Sequence, residues 1–290
     1  MERVLVAGAT GYLGGFVVKE LRTRGYFTTA LVRDRRKFRS EDVASDVVIE
    51  AEVTQPASLA GCCRDIDVVF SSVGITRQKD GLTYMDVDFQ ANMNLLEEAK
   101  RSGVKKFVYV SVLHGRDLRY LKICEAKEKF VDALIESGLQ YCVIRPTGYF
   151  SDMDEFYRMA RRGSVYLFGD GNSRMNPISG ADLAKACVDA MQNDEREVAV
   201  GGPEILTYNQ IAGLACDAVG GTCKTVHLPD GLRRFALAML RMLTSSKIYG
   251  PVEFVLTMLV TDMVAPAYGS QRLAEYFRDM DQSSIPRFAV

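Results

Sequence analysis

Short apolar runs alternate with longer amphipathic segments along the first half of the chain. The apolar runs predict six strands, at residues 4–6, 27–32, 47–49, 67–70, 107–110 and 141–144. The segments between them include residues 12–24, 85–102 and 121–137, which have helical spacing of apolar residues and end next to a glycine. Strands that alternate with helices are typical of a parallel sheet covered on both faces. The pattern therefore predicts an α/β fold with a doubly wound parallel sheet of the Rossmann type.

The alternation breaks down after Pro146, where glycines and prolines separate shorter segments. Helices are predicted at residues 181–191 and 208–219. The sequence contains no low-complexity linker and no repeat beyond the strand–helix rhythm. We therefore expect residues 1–150 to form the sheet domain. Residues 151–290 are expected to form a smaller mixed lobe that packs on this domain and contributes late strands and helices to it.

Three glycines, Gly8, Gly11 and Gly14, fill the turn between the first strand and the first helix. In dinucleotide-binding folds the first glycine permits the tight turn, the second lets the backbone approach a pyrophosphate, and the third lets the helix pack closely on the strand. The N–H groups and the positive dipole end of the helix then point toward the phosphates. Any tight strand–helix turn favours glycine, but here the elements come in the order that a dinucleotide site needs. The turn therefore predicts a bound dinucleotide.

The end of the second strand indicates which dinucleotide binds. In this fold an acidic residue there hydrogen bonds the free 2′-hydroxyl of NAD, whereas arginine accommodates the 2′-phosphate of NADP. Arg33 is the first residue after the predicted strand, and Arg35, Arg36 and Lys37 follow closely. A guanidinium forks onto phosphate oxygens, so the loop favours NADP(H) over NAD(H). The competing interpretation is a solvated basic loop. Asp34 is the acidic residue in this loop that leaves NAD(H) as the alternative cofactor.

Composition and charge narrow the function classes. The chain has 290 residues, of which 48% are hydrophobic and 25% charged, as in ordinary globular proteins. Its net charge of −1 gives no overall attraction to nucleic acid. The seven cysteines lack metal-like spacing and only two histidines are present, so we expect no metal site and reduced thiols. The first strand starts near Arg3, which leaves no room for a leader peptide, and we expect a cytoplasmic protein.

Residues 232–265 contain two strongly apolar segments. In the first, Arg233, Arg234 and Arg241 lie on a separate face, and the second, at residues 252–265, has one polar stripe. At about 14 residues each, they are shorter than the roughly 20 residues of a transmembrane helix. One interpretation is packing against the core or a twin subunit. The other is peripheral contact with a membrane, in which the helices admit a lipid-, isoprenoid- or quinone-like substrate and the arginines face anionic headgroups.

Several motifs resemble those of the short-chain dehydrogenase/reductase superfamily. They are the glycine turn, Val87-Asp88-Phe89-Gln90-x-Asn92, Phe107-Val108-Tyr109-Val110-Ser111, and Ile144-Arg145-Pro146-Thr147-Gly148. Later motifs fit too, at Asn176-Pro177-Ile178, Asp182-Leu183-Ala184 and Gly201-Gly202-Pro203-Glu204. The chain most resembles the atypical branch, which includes NmrA-like, isoflavone-reductase-like and divinyl-reductase-like proteins. The resemblance covers about residues 3–220 and is not specific to one substrate.

The resemblance implies which residues hold the cofactor. Gly8, Thr10, Gly11, Tyr12, Leu13 and Gly14 would line the pyrophosphate, Arg33 would take the 2′-phosphate, Ser72, Val73 and Gly74 would pass beside the adenosine, and Pro146, Thr147 and Gly148 would approach the nicotinamide. Glu52, which closes the third strand region, is a candidate for the adenine amino group or an exposed loop carboxylate.

The catalytic residues depart from the family pattern. Most catalytic members use Tyr-x-x-x-Lys, in which the tyrosine is the acid and the lysine lowers its pKa and holds the nicotinamide ribose. Here Lys127 lies in the expected helix, but Ile123 occupies the tyrosine position and has no proton to give. The accompanying serine is expected at Ser111, unless the usual position falls at residues 112–113. His114 follows the fifth strand and is a candidate proton donor or a loop histidine.

The missing tyrosine argues against alcohol–ketone oxidation and sugar-nucleotide epimerisation. The resemblance leaves the isoflavone-reductase type of chemistry, in which a retained lysine binds the cofactor and acts as acid or base while hydride goes to an activated double bond. We therefore predict an NADPH-dependent reductase of an apolar small molecule, a monomer or homodimer, with Lys127 at the reaction centre. The alternative is a non-catalytic NADP(H)-binding redox sensor or assembly subunit.

Overall fold

A computed structural model describes residues 1–38, 45–76, 78 and 81–282, apart from the side chains of residues 37, 281 and 282. The chain forms two compact units. The first consists of Met1–Arg145 and Leu183–Val198, and the second of Pro146–Asp182 and the described part of Ala199–Val290. The first unit is therefore discontinuous in sequence, since it takes up a later segment of the chain.

Eleven strands are present in the described chain. They are β1 (Arg3–Ala7), β2 (Phe27–Val32), β3 (Val47–Glu50), β4 (Val68–Ser71), β5 (Lys106–Val110), β6 (Gln140–Pro146), β7 (Ser164–Phe168), β8 (Arg174–Met175), β9 (Glu197–Val200), β10 (Leu206–Thr207) and β11 (Lys224–Leu228). One sheet has the order β3-β2-β1-β4-β5-β6-β9, and its first six strands pair in parallel. This sheet confirms the predicted doubly wound fold. In such sheets ligands bind at the carboxyl ends of the strands, where the order reverses between β1 and β4.

Helices fill the connections. They are α1 (Tyr12–Thr23), α2 (Asn92–Arg101), α3 (Lys122–Glu136), α4 (Asp154–Arg161), α5 (Gly180–Gln192), α6 (Tyr208–Ala218), α7 (Asp230–Leu243), α8 (Ser246–Met258) and α9 (Leu273–Gln282). Short 3-10 helices lie at Arg35–Phe38, Pro56–Leu59 and Phe150–Met153. A π-helical segment, Met85–Ala91, leads directly into α2. The helix predicted at 85–102 is therefore present, but its first part has the wider π form, which is rare and is frequent at functional sites.

Apolar side chains from the sheet and its helices form the core of the first unit. Leu5, Phe107 and Tyr109 on the strands and Phe130 on α3 are fully buried. Phe130 packs edge-on against Tyr109, with ring centroids 4.6 Å apart. Every residue of β4 and of β5 is buried. Burial on both faces explains why these strands have continuous apolar runs in the sequence.

Two buried side chains tie together loops of the second unit. The Asn176 amide donates to the carbonyl oxygens of Gly202 and Ala265 at 2.9 Å each and accepts the Ala265 N–H at 3.1 Å. The Asp182 carboxylate accepts the backbone N–H groups of residues 270 and 271, both at 2.9 Å. Polar groups are tolerated at buried positions when they are hydrogen-bonded in this way. These contacts account for two of the motifs on which the family resemblance rests.

Helices α7 and α8 expose large apolar side chains. On α7, Phe235, Met242 and Leu243 are 63%, 77% and 70% exposed, and on α8, Ile248 and Val255 are 56% and 50% exposed. The spacing within each helix brings these residues onto one face. None of the helices in the described chain has the length and apolar character needed to cross a bilayer.

The arginines of this region are engaged in ion pairs. Arg233 and Arg234 both contact Asp230 at 2.6 Å. Arg241 of α7 pairs with the buried Glu253 of α8. The polar residues thus join the two helices and close the first turn of α7, while the apolar residues face outward.

Cys216 and Cys223 form a disulfide that joins the end of α6 to the loop before β11. Their Cα atoms are 5.3 Å apart, a usual separation for a disulfide. Gly220 and Gly221 have φ values of +93° and +72° and turn the chain back between the two cysteines. The expectation that all seven cysteines are reduced thiols is therefore wrong for this pair, because a tight turn brings together cysteines whose spacing matches no motif. The other five are free and buried.

Candidate cofactor and active site

The glycine turn has the geometry that a pyrophosphate site needs. Gly8 has φ +84°, in the left-handed region that favours glycine, and its carbonyl accepts the Gly11 N–H at 2.9 Å. A Cβ on Gly14 would clash with the Gly8 carbonyl oxygen, so α1 approaches the turn this closely only because residue 14 is glycine. The helix begins at Tyr12, where the amphipathic segment 12–24 predicts its start.

The N-terminus of α1 has no negative charge of its own. Its N-cap, Gly11, provides no side-chain cap, and no acidic residue lies in its first turn. Thr10 and Gly11 are exposed, whereas Leu13 and Gly14 are buried, so the turn presents its backbone to solvent above a fixed helix end. N–H groups at a helix start lack intrahelical acceptors and carry a positive partial charge. The residues present therefore fit a phosphate group.

Arg33 follows β2 with an exposed guanidinium. Within the described side chains Arg33 has no hydrogen-bond or ion-pair partner. Its neighbours are engaged: Asp34 accepts two hydrogen bonds of 2.9 Å from Arg36, and Arg35 binds a carbonyl of β3. The side chain of Lys37, the last residue of the predicted basic loop, lies outside the described residues. Among the described basic side chains of this loop, the guanidinium that makes no such contact is that of Arg33.

Glu52, Ser72 and Val73 lie beyond the carboxyl ends of β3 and β4. Glu52 accepts the Thr54 N–H at 3.2 Å and so closes its own turn. The Ser72 hydroxyl donates to the carbonyl that ends β1 at 3.4 Å, and a Cβ on Gly8 would lie 2.8 Å from Ser72 Oγ. Val73 is buried. The structure thus brings Ser72 against the glycine turn, whereas the Glu52 carboxylate makes a local contact.

Lys127 lies against Gly74 just after β4. Its Nζ is 2.9 Å from Oδ1 of Asp88, a residue of the π-helical segment. A Cβ on Gly74 would be 2.9 Å from Lys127 Nζ and 2.5 Å from Asp88 Oδ1, so glycine is needed for this contact. The Lys127 side chain is 15% exposed, while that of Asp88 is fully buried. The structure therefore holds an ammonium group on a buried carboxylate beside the segment expected to pass the adenosine.

Burial shifts the protonation of the groups around this pair. Desolvation raises the pKa of Asp88, and the Lys127 charge and hydrogen bond oppose that rise. Burial also raises the pKa of Tyr84 to about 12 and that of Cys124 to about 12. The pKa of the fully buried Tyr109 hydroxyl is raised for the same reason. The phenols and the thiol are therefore neutral near pH 7 and surround the ion pair.

No phenol on α3 replaces the missing tyrosine. Ile123 is buried in the helix. Tyr120 precedes the first residue of α3, Lys122, and its side chain is exposed. The partly exposed proton-bearing group of α3 beside Gly74 is thus the Lys127 ammonium.

Ser111 belongs to a buried network with Glu128 and Arg145. The Ser111 hydroxyl donates to Glu128 Oε1 at 2.6 Å, and Arg145 donates to both carboxylate oxygens, at 2.6 and 3.0 Å. Glu197 lies 2.9 Å from the Arg145 Nε, and a Cβ on Gly115 would clash with the Glu128 carboxylate. The Ser111 hydroxyl is therefore already hydrogen-bonded to a buried carboxylate. The catalytic role of Ser111 stays a prediction.

His114 lies in the loop after β5. Its side chain is 44% exposed, and its Nδ1 lies 3.9 Å from the Asp117 carboxylate. Its φ of +55° is uncommon for a residue other than glycine, although histidine is among the types that adopt it. Its role as a proton donor stays a prediction.

The segment expected to approach the nicotinamide is fixed within the second unit. Pro146 ends β6 and is buried. The Thr147 hydroxyl donates to the Asn176 carbonyl at 2.6 Å, and the Gly148 carbonyl accepts the Ile178 N–H at 2.9 Å. These contacts hold the backbone in place, and its role toward the cofactor stays a prediction. Within the described residues no group of three or more His, Cys, Asp or Glu side chains is placed to hold a metal ion.

Sequence reasoning did not identify Asp88, which it quoted only within a motif. A signal was present, because Asp88 lies at helical spacing with Ala91, Leu95 and Ala99, all of which are buried. A carboxylate on the apolar stripe of a helix needs a charged or hydrogen-bonding partner. The partner itself, on α3, is not visible in the local pattern.

A family model described as NAD(P)H-binding matches residues 8–194, which is more than half of the chain. The chain belongs to this NAD(P)H-binding family. The match starts at Gly8 and includes Arg33 and Lys127. It confirms the predicted cofactor class and, together with the relatives below, the resemblance to the atypical short-chain dehydrogenase/reductases.

Curated relatives of this NAD(P)H-binding protein include enzymes and an assembly factor. The chain is 28% identical over 309 residues to the chloroplastic divinyl chlorophyllide a 8-vinyl-reductase of Cucumis sativus, covering 95% of this chain and 73% of the relative. It is 25% identical over 244 residues to the photosystem II assembly factor Ycf39 of Synechocystis sp., covering 82% of this chain and 74% of the relative.

Solved structures share the fold at low identity. An NADPH-dependent quinone oxidoreductase of Escherichia coli, complexed with NADPH, has a TM-score of 0.71 and 19% identity, covering 96% of this chain and 99% of the other. A nucleoside-diphosphate-sugar epimerase of Staphylococcus aureus has a TM-score of 0.74 and 17% identity, covering 96% and 100%. At these identities the likeness concerns the fold.

Proposed function

We propose that the chain is an NADPH-dependent reductase of an apolar small molecule, in which Lys127 acts as the proton donor in place of the absent tyrosine. The observation that carries this proposal is the Lys127–Asp88 pair beside Gly74, on a helix without a phenol. A carboxylate close to a lysine favours its charged form, and an ammonium has a proton to give. Ile123, in contrast, has none.

The proposed mechanism assigns a separate task to each group of residues. A bound NADPH supplies the hydride. The glycine turn binds the pyrophosphate, and Lys127 binds the nicotinamide ribose and faces the substrate. With NADPH as the hydride source, Lys127 Nζ would give its proton to the carbon of the activated double bond that does not receive the hydride, and the electron pair of the N–H bond would stay on nitrogen. Solvent then returns a proton to the amine.

The preference for NADPH over NADH is supported by Arg33. Its guanidinium lacks a partner among the described side chains, and the acidic group next to it, Asp34, is held by two hydrogen bonds from Arg36. A free guanidinium suits a 2′-phosphate, whereas an engaged carboxylate is a poor acceptor for a 2′-hydroxyl.

A carbon–carbon double bond in an apolar substrate is supported by two observations. The relative from Cucumis sativus, which aligns with 95% of this chain, is named as a vinyl reductase. In addition, the exposed apolar faces of α7 and α8 suit an apolar environment.

A non-catalytic NADP(H)-binding subunit is the second candidate. It is favoured by Ile123 at the position of the usual acid and by the Ser111 hydroxyl that is bonded to Glu128. The relative from Synechocystis sp., named as an assembly factor, aligns with 82% of this chain.

Turnover and binding together separate the two candidates. Purified protein is mixed with NADPH and each of three probes, namely divinyl chlorophyllide a, menadione and an isoprenoid enone, and loss of reduced nicotinamide absorbance is followed. We expect turnover with at least one probe. In Lys127→Met it should fall about 100-fold or more, the usual contribution of a positioned acid.

The matched control is Lys129→Met, which removes an exposed lysine from the same helix. Turnover in this variant should equal that of the wild type. Tight NADPH binding with no turnover on any probe would instead favour the non-catalytic subunit.

A further inference from the structure

Asp88 is a carboxylate in an environment that an isolated charge does not tolerate. It is fully buried, its Oδ1 lies 2.9 Å from Lys127 Nζ, and its Oδ2 accepts the Ile75 N–H at 3.2 Å. A buried carboxylate costs several kcal/mol unless a charge and hydrogen bonds compensate it. Asp88 and Lys127 are therefore coupled, and removal of one leaves the other unfavourable.

The fold supports the position of Asp88 with a second device. The π-helical form of Met85–Ala91 leaves backbone carbonyls outside regular α-helical bonding. The Asn92 amide donates to the carbonyls of Val87 and Asp88 at 3.3 and 2.9 Å, and the Ser71 hydroxyl donates to its oxygen at 2.6 Å. A buried side chain thus stabilises the uncommon turn that carries Asp88.

Four other titratable groups near Lys127 are neutral or already bound. Tyr84, Tyr109 and Cys124 are neutral because burial raises the pKa of each. Glu128 is bound by both guanidinium nitrogens of Arg145 and by Ser111. The carboxylate that lies against the Lys127 ammonium is that of Asp88, at 2.9 Å.

We propose that Asp88 is a positioning residue that keeps Lys127 protonated and points its ammonium at the cofactor site, across the pH range in which a partly buried lysine alone would lose its proton. The inference rests on the proposed function only in taking Lys127 as a cofactor contact, and it does not require turnover. The π-helical segment, through Asp88, thereby keeps a positive charge on Lys127 in the site.

The test is the pH dependence of NADPH binding, measured by calorimetry from about pH 7 to pH 9.5, the range in which a partly desolvated lysine titrates. In the wild type the affinity should stay flat. In Asp88→Asn it should fall about tenfold as the pH rises, the size of one lost charged hydrogen bond, until it equals that of Lys127→Met. The double variant Asp88→Asn/Lys127→Met should match Lys127→Met at every pH.

A measurement on the wild type alone covers the case in which Asp88→Asn does not fold. Titrations near the upper end of the range in two buffers of different ionisation enthalpy count the protons taken up with NADPH. A lysine that is already charged takes up none, whereas a neutral one takes up close to one proton per site. Proton uptake by the wild type, or identical pH profiles for the wild type and Asp88→Asn, would overturn the proposal.

Failure of the reductase proposal has a different signature. If no probe is reduced but the NADPH affinity of Asp88→Asn still falls as the pH rises, Asp88 positions Lys127 in a protein that only binds the cofactor. If Lys127→Met binds NADPH as the wild type does at every pH, Lys127 is not a cofactor contact, and both the inference and the role of Lys127 in the mechanism fall together.

Discussion

Arg33 is the residue expected to distinguish between two cofactors that differ by one phosphate. Replacing it by alanine is expected to weaken NADPH binding about 10- to 100-fold, because a hydrogen bond to a charged group contributes roughly 1.5–3 kcal/mol. NADH binding should stay unchanged. Titration of each variant with NADPH and with NADH measures the two affinities. The control is Arg22→Ala, because Arg22 is an exposed arginine in the last turn of α1, where it pairs with Asp46. Equal losses for the two cofactors would contradict the assignment of Arg33 to the 2′-phosphate.

What the sequence reveals about single residues depends on how local their constraints are. Gly8 is required by a positive φ, and Gly14 by the close approach of α1 to the Gly8 carbonyl. Both constraints lie within one turn, so a short sequence pattern identifies these glycines. Asp88 depends on where α3 passes in space. Ser111 depends on Glu128, which lies 17 positions further along the chain. Partners of this kind arise from tertiary packing, and no local pattern contains them.

The same distinction holds for whole elements. Strands β1, β2, β4, β5 and β6 were predictable because burial gives continuous apolar runs, and glycines end the helices between them. The edge strand β3 is only partly buried, and its short Val-Val-Ile run was the signal for it. The π-helical form of Met85–Ala91 was not predictable, because its support comes from the Asn92 side chain and from Ser71 on β4. The edge strand β9 is short and partly exposed, so its sequence has no strong strand pattern.

The loop between α6 and β11 is expected to owe part of its stability to the Cys216–Cys223 disulfide. A cross-link that closes so short a loop contributes about 2 kcal/mol, which corresponds to a shift of about 4 °C or more in the melting temperature. Thermal unfolding with and without reductant measures the shift. The double variant Cys216→Ser/Cys223→Ser should have a lower melting temperature than the wild type, and the reductant should not change it. A variant that still responds would point instead to the five buried free cysteines.

At the scale of the whole molecule, α7 and α8 stand out for the large apolar side chains that they expose. The arginines nearby are paired with Asp230 and Glu253, so the exposed apolar stripe is the stronger feature of this surface. Large exposed apolar patches mark sites of interaction with proteins or membranes. Amphipathic helices with an exposed apolar face are one such means of contact with a membrane surface.

We therefore expect the protein to sediment with vesicles of phosphatidylglycerol and phosphatidylcholine, and Phe235→Glu to lose most of this binding. Phe235 is 63% exposed, so the substitution should leave the melting temperature unchanged. The matched control is Ile205→Glu, at a 52% exposed position outside the two helices. If the wild-type protein does not bind vesicles but forms a dimer that Phe235→Glu dissociates, the apolar surface of α7 and α8 joins two copies of the chain instead.

The interrupted path of the chain through its first unit has a consequence for synthesis. The unit needs Leu183–Val198 to complete it, and the buried Lys106 ammonium binds the carbonyls of Ala190 and Met191 in that returning segment. While the ribosome is still making residues 146–182, β6 has an open edge and Lys106 lacks its acceptors. The nascent protein therefore passes through an aggregation-prone stage that lasts until β9, Glu197–Val200, has emerged. Nascent-chain chaperones have this interval in which to act.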